Sequence, residues 1–261
     1  MENHPLDIIP VWGLFVTTIV FVFAVVEIGF RLGEVKRRRN DDVKDAAVGP
    51  MVGATLGLLA FMLAFTFGMA ATRHDTRRTL VFDEANALQT AYLRADLLPQ
   101  PHSTKIRRLL RDYVEVRFQW NGTQDLQKAI ARSDDIQQRL WSEAVAVAEK
   151  NPDSVVVGLF ISTLNDVIEL HAKRVRIGLK SRIPTVIFFV LFFVTSLATV
   201  SMGYLAGIAG KRTNTVSIAL VLAFSSVIYL IIDLDRPQEG LLKVSQQPMQ
   251  ELRQKITISP P

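Results

Sequence analysis

Four long apolar stretches, set as two pairs around a charged middle, constrain this chain more than any other feature. Ile8 to Phe30 carries one charge, Glu27, while Ala46 to Thr72, Ile183 to Gly210 and Thr213 to Ile232 carry none. About 20 consecutive apolar residues span a bilayer as a helix, because lipid offers no partner to an unpaired backbone group. Each stretch reaches that length. The expected fold is an all-α membrane protein with four transmembrane helices and a helical bundle inserted between the second and third spans. The expected division is 1–72 for the first helix pair and 73–182 for the bundle. The second pair then takes 183–235, and 236–261 forms an extended C-terminal tail.

Charge is concentrated in the middle. Arg73 to Arg182 holds 18 Lys and Arg against 14 Asp and Glu, in a chain of net charge +5. The two signs are interleaved, which excludes a nucleic-acid surface. A pI of 9.6 fits a bacterial inner-membrane protein facing anionic lipid. With no cysteine, disulfides, thiol catalysis and thiolate metal sites are excluded. Met1 to Asp7 carries Glu2 and Asp7 and no Lys or Arg, so the first stretch reads as a span and not a cleaved signal.

The second span is expected to run on past the membrane. Leu80, Leu88, Ala91, Ala95 and Leu98 recur at helical spacing, and the break comes at Pro99-Gln100-Pro101. A single helix from Gly49 to Leu98 would be about 75 Å long at 1.5 Å per residue. Ser103 is then expected to cap a helix with Ile106, Leu109, Leu110, Tyr113, Val114 and Trp120 on one face. Asn121-Gly122 reads as a turn. Thr123 is expected to cap the next helix, which presents Leu126, Ile130, Leu140, Ala144 and Val147. After Asn151-Pro152-Asp153, a further helix presents Val156, Leu159, Phe160, Thr163, Val167 and Leu170. The segment from Arg31 to Asp45, with Lys36, Arg37, Arg38 and Arg39, reads as a loop.

Candidate functional residues lie mostly on the second span. Gly49, Gly53, Gly57, Ala60, Ala64 and Gly68 follow steps of 4, 4, 3, 4 and 4, which holds them on one helical face. Small residues let helices approach closely in lipid. Such a face serves helix packing, subunit contact or a pore lining. Phe61, Phe65 and Met69 form a neighbouring stripe, and a ring of them in an oligomer would gate by dewetting. Glu27, an ionisable residue within a span, is expected to pair with Arg31 at i+4. Asp233 and Asp235 read as interfacial anchors or as an acidic ring at a pore mouth. Arg73, Arg77 and Arg78, with His74 and Asp75 among them, read as interfacial snorkelling side chains or as an anion-concentrating cluster.

No catalytic or metal arrangement emerges. His4, His74, His102 and His171 are scattered, and the adjacent Asp83 and Glu84 point to different helix faces. There is no phosphate loop, nucleophile elbow or HExxH motif. No enzyme activity, cofactor or metal is expected.

Leu63 to Pro99, LAFTFGMAATRHDTRRTLVFDEANALQTAYLRADLLP, resembles the bacterial bestrophin-like domain proteins, and Asp233 to Gly240, DLDRPQEG, resembles their post-membrane signature. The resemblance covers most of the chain. Bestrophins are pentameric anion channels with four spans per subunit and a helical region between spans two and three. Their second helix lines a narrow apolar neck. By that resemblance Phe61, Phe65 and Met69 are neck residues, and the partners are the lipid bilayer, inorganic ions and further copies of the chain. The bestrophin Asn-Pro-Phe-Gly is replaced here by Asp-Arg-Pro-Gln-Glu-Gly. The acidic cluster that binds calcium in bestrophins is absent, so calcium gating does not carry over.

Topology signals conflict. The short loops Arg31 to Asp45 and Lys211-Arg212 hold 6 and 2 Lys and Arg. The positive-inside rule places both in the cytoplasm and the bundle in the periplasm. The bestrophin resemblance implies the reverse. An oligomeric ion channel is the leading functional expectation. A membrane-anchored sensor or scaffold whose bundle binds a ligand or partner protein is the alternative. A proton-driven, stator-like complex would need an acid deep in a span, and Glu27 lies near an end.

Overall fold

The structure is a computed structural model and describes residues 10–39, 48–118, 123–210, 214–236 and 240–258. Every regular element among them is a helix: α1 (Val11–Arg38), α2 (Val48–Ala95), α3 (His102–Phe118), α4 (Thr123–Lys150), α5 (Val155–Lys173), a π-helical segment (Arg174–Lys180), α6 (Thr185–Ala209), α7 (Asn214–Asp235) and α8 (Gln247–Ile258). The chain divides into two compact units. The first is Met1–Arg73 with Arg182–Leu242, and the second is His74–Ser181 with Lys243–Pro261. The 48-residue α2 contributes to both.

In the first unit α1, α2, α6 and α7 share one apolar core that includes Leu14, Leu59, Leu63, Phe188, Leu191 and Ile228. Three buried hydroxyls are satisfied locally. Thr66 donates to Met62 O at 2.7 Å, Thr195 to Leu191 O at 2.7 Å and Thr199 to Thr195 O at 2.7 Å. Back-bonding of this kind removes the cost of an unpaired hydroxyl in an apolar setting. The closest helix approach joins α1 to α6 through four glycines. A Cβ on Gly29 or Gly33 would collide with Val200 O or Tyr204 O, and one on Gly203 or Gly207 would collide with Val26 O or Phe30 O. The small-residue packing inside this chain therefore runs through α1 and α6. The stripe on α2 takes no part in it: a Cβ on Gly49, Gly53, Gly57 or Gly68 would meet nothing within 4 Å.

The second unit is held by a separate core. It combines Leu88, Ala91 and Tyr92 of α2 with Ile106, Leu110 and Tyr113 of α3, Leu140 and Ala144 of α4, Phe160 and Leu164 of α5, and Met249, Leu252 and Ile256 of α8. Ser154 caps α5, its hydroxyl accepting from Val157 N at 3.4 Å.

Several expectations are corrected. The segment from Arg31 is not a loop but continues α1 to Arg38, supported by the pairs Glu27–Arg31 at 3.0 Å and Glu34–Arg38 at 2.6 Å. The tail is not extended throughout, since α8 occupies Gln247–Ile258. Its apolar residues, three and four apart, gain burial only as a helix. Ser103 does not cap α3 but lies in its first turn with a buried hydroxyl. The buried face of α5 is Val157, Phe160, Thr163, Leu164, Val167 and His171, which keeps Phe160, Thr163 and Val167 of the expected stripe and leaves Val156 and Leu159 exposed. Among the described residues, Val155–Gly178 also has the length and apolarity of a span, beside the four stretches expected. Trp120, the Asn121-Gly122 turn and the Lys211-Arg212 loop lie outside the described residues.

Candidate functional site

Two places collect the chemistry of this chain: one face of α2 and a buried ion network in the second unit.

On α2 the residues Val52, Leu59, Leu63, Thr66 and Ala70 are buried. The opposite face carries Gly53, Gly57, Ala60, Ala64 and Gly68, all exposed. Beside them Phe61 is 66% and Phe65 57% exposed, while Gly49 and Met69 are half-buried. The structure thus keeps the small residues and the two phenylalanines together on a face that the described residues leave mostly exposed.

The ionisable candidates separate. Glu27 accepts from Arg31 Nε at 3.0 Å, as its spacing implies. Asp233 and Asp235 are both buried and hold backbone. Asp233 accepts from Leu241 N at 2.9 Å and Leu242 N at 3.0 Å, and Asp235 accepts from Ile183 N at 2.9 Å. Gly240 sits opposite Asp233 with φ +118°, where a Cβ would collide with the carboxylate. Gly240→Ala is therefore expected to lower the unfolding temperature measurably, since a non-glycine residue there costs about 1–3 kcal/mol before any clash. A Gly240→Ala chain as stable as the parent would refute this role. Arg73, Arg77 and Arg78 differ in burial. Arg77 is buried and donates to Ser181 O at 3.0 Å, Arg78 is exposed, and Arg73 is half-buried.

The ion network was not anticipated from sequence. Glu84 is fully buried and receives two guanidinium groups. Arg117 reaches it at 3.1 Å through both Nε and Nη2, and Arg174 Nη1 reaches it at 2.5 Å. Arg174 also donates to Gln246 Oε1 at 2.7 Å, just ahead of α8. Tyr113 Oη lies 3.0 Å from Glu84 Oε1 and 3.0 Å from His171 Nδ1, and accepts from Gln137 Nε2 at 3.3 Å. His171 Nε2 lies 3.1 Å from Asp134 Oδ1. Burial pushes the Glu84 carboxyl up, but Arg117 and Arg174 outweigh it and hold the group at about 2. Burial and the Glu84 charge push the Tyr113 phenol up. Burial and the Arg117 charge push the His171 imidazole down.

Sequence signals for this network existed. Glu84 lies midway between Leu80 and Leu88 on the apolar stripe of α2, and Arg117 is four residues after Tyr113 on that of α3. Val157, Phe160, Leu164, Val167, His171 and Arg174 follow alternating steps of 3 and 4. A charge on a core seam marks a buried ionic contact. The π-helical segment begins at Arg174, and such segments gather at functional positions.

An all-helical chain with several apolar helices of this length is a multi-pass membrane protein. The bestrophin-like domain model matches residues 16–249, and the chain belongs to the bestrophin-like family. No curated protein matches it. Among solved structures it is similar to a single-residue mutant of a bacterial bestrophin homolog from Klebsiella pneumoniae, with TM-score 0.71 and 15% identity over 94% of this chain and 99% of that one. A second mutant of that homolog matches with TM-score 0.70 and 16% identity, over 93% and 97%.

Proposed function

We propose that this chain is the subunit of an oligomeric ion channel with four spans, a pore lined by α2, and a preference for anions over cations. The observation that carries the reading is the exposed face of α2. A helix face of glycine, alanine and phenylalanine that the described residues leave mostly exposed needs lipid, a second copy or a lumen against it. In a symmetric oligomer the exposed Phe61 and Phe65 would form two stacked apolar rings, which close a narrow pore by excluding water. Membership of the bestrophin-like family supports the assignment, and five-fold symmetry follows from the resemblance to bestrophins. Arg78, exposed on α2 beyond the apolar stretch, would raise the local anion concentration. Loop charge favours a bacterial inner-membrane location with the second unit outside the membrane on the periplasmic side. The reading involves no enzymatic step and no cofactor.

The test is current through purified protein in a planar bilayer under a KCl gradient. We expect a reversal potential near the chloride value, and a larger conductance in the Phe61→Ala, Phe65→Ala double variant. Unchanged currents in the double variant would remove the gate. A silent bilayer with folded protein would favour a membrane-anchored sensor or scaffold. The buried ion network of the second unit, more elaborate than a passive vestibule requires, is the observation on that side.

A further inference from the structure

The ion network contains one imidazole, that of His171. His171 is buried, and charged or polar groups meet it from every element around it. Asp134 and Gln137 come from α4, Tyr113 and Arg117 from α3, Glu84 from α2 by way of Tyr113, and Arg174 from the π-helical segment that follows α5. Gln246 faces Arg174 from the segment before α8.

Counting protons shows why this matters. Tyr113 has one hydroxyl proton and two acceptors, each 3.0 Å away: Glu84 Oε1 and His171 Nδ1. It also accepts from Gln137. Tyr113 Oη donates to Glu84 Oε1. In neutral His171 with Nε2–H on Asp134, the bare Nδ1 faces the phenol oxygen with no proton between them. When His171 binds a proton from water at Nδ1, that N–H donates to Tyr113 Oη, and the phenol keeps its own proton on Glu84. Every donor and acceptor in the chain Asp134, His171, Tyr113, Glu84 is then satisfied.

Charge works against that second state. Glu84 and Asp134 balance Arg117 and Arg174, so a protonated His171 leaves the network with one surplus positive charge. Asp134 is the only carboxylate in direct contact with His171 among the described residues, and its side chain is 54% exposed.

We propose that His171 is a proton-binding site, and that the surplus positive charge brought by proton uptake loosens the second unit in mild acid. The sign follows from linkage. The unfolded chain takes up this proton near the ordinary histidine value of about 6.5, whereas the folded chain takes it up lower. Stability is therefore full above that value and falls as pH drops toward the folded-state value.

The test is the thermal unfolding midpoint of the full chain in detergent between pH 8 and pH 5, for the parent, His171→Gln and Asp134→Asn. In the parent we expect the midpoint to fall by at least about 3 °C more than in His171→Gln over this range. Asp134→Asn keeps its half-exposed position filled but removes the carboxylate that favours the imidazolium. Its acid decline is expected to be deeper than the parent's. Superimposable pH profiles for parent and His171→Gln would overturn the proposal. If His171→Gln does not fold, Asp134→Asn decides alone: a shallower or unchanged decline overturns the site.

Discussion

Glu84→Ala is expected to unfold the second unit at temperatures where the parent chain is intact. The substitution removes the carboxylate that the buried Arg117 and Arg174 both contact. Breaking a buried ion pair from one side costs about 3–5 kcal/mol, because the remaining charge keeps its desolvation penalty and loses its attraction. Two cations lose the carboxylate in place of one, which puts this site at the upper end. The depressed carboxyl leads to a similar figure. A fall from the ordinary 4.5 to about 2 corresponds to about 3 kcal/mol of preference for the ionised form in the folded chain. That contribution is present above the ordinary carboxylate value and is lost only as pH falls through about 2. Limited proteolysis and thermal melting would read the effect in the second unit, and Glu84→Gln should fall between alanine and parent. A Glu84→Ala chain melting within a degree or two of the parent would show that the network is dispensable.

Gly207→Ala is expected to disrupt the first unit although it adds a single methyl. The new Cβ would collide with Phe30 O and lie 2.8 Å from Glu34 N, both backbone atoms of α1. Neither can swing aside as a side chain would, so the helices must separate. Separation also forfeits the matching contacts at Gly29, Gly33 and Gly203. Overpacking typically costs about 1–3 kcal/mol and more where backbone blocks relaxation. Close approach at small residues is also what holds helices together in lipid. Gly57→Ala on α2 is the matched control, because its Cβ meets nothing within 4 Å in the same chain. We expect Gly207→Ala to lose the sharp elution peak and thermal midpoint that Gly57→Ala retains as a single chain. Equal behaviour of the two variants would sink the assignment of the α1–α6 contact.

The two glycine sets show where sequence reading reached its limit. Both follow helical spacing, and the longer run on α2 gave the stronger pattern. Only the structure distinguishes them: the α1 and α6 glycines face each other's backbone, and the α2 stripe faces outward. Spacing says which residues share a face but not what that face meets. The same holds for Asp233 and Asp235. Their place at the end of α7 read as an interfacial position, yet both turn inward to backbone amides of Ile183, Leu241 and Leu242. The partners lie 52, 8 and 9 residues away, and no local periodicity links them.

By itself the sequence determined the helical, membrane-spanning character of the chain, the long α2 and the polar helices between the apolar pairs. Those features follow from hydropathy and from backbone hydrogen bonding, which act over one or two turns. It also placed Phe61 and Phe65 beside the small-residue stripe, since one helix suffices for that. The Glu84 network was decided by tertiary structure alone. Glu84, Tyr113, Asp134, His171 and Arg174 come from four helices and a π-helical segment, and a charge is tolerated at a core position only when packing delivers its partner. That delivery is a property of the assembled unit and is written in no single helix.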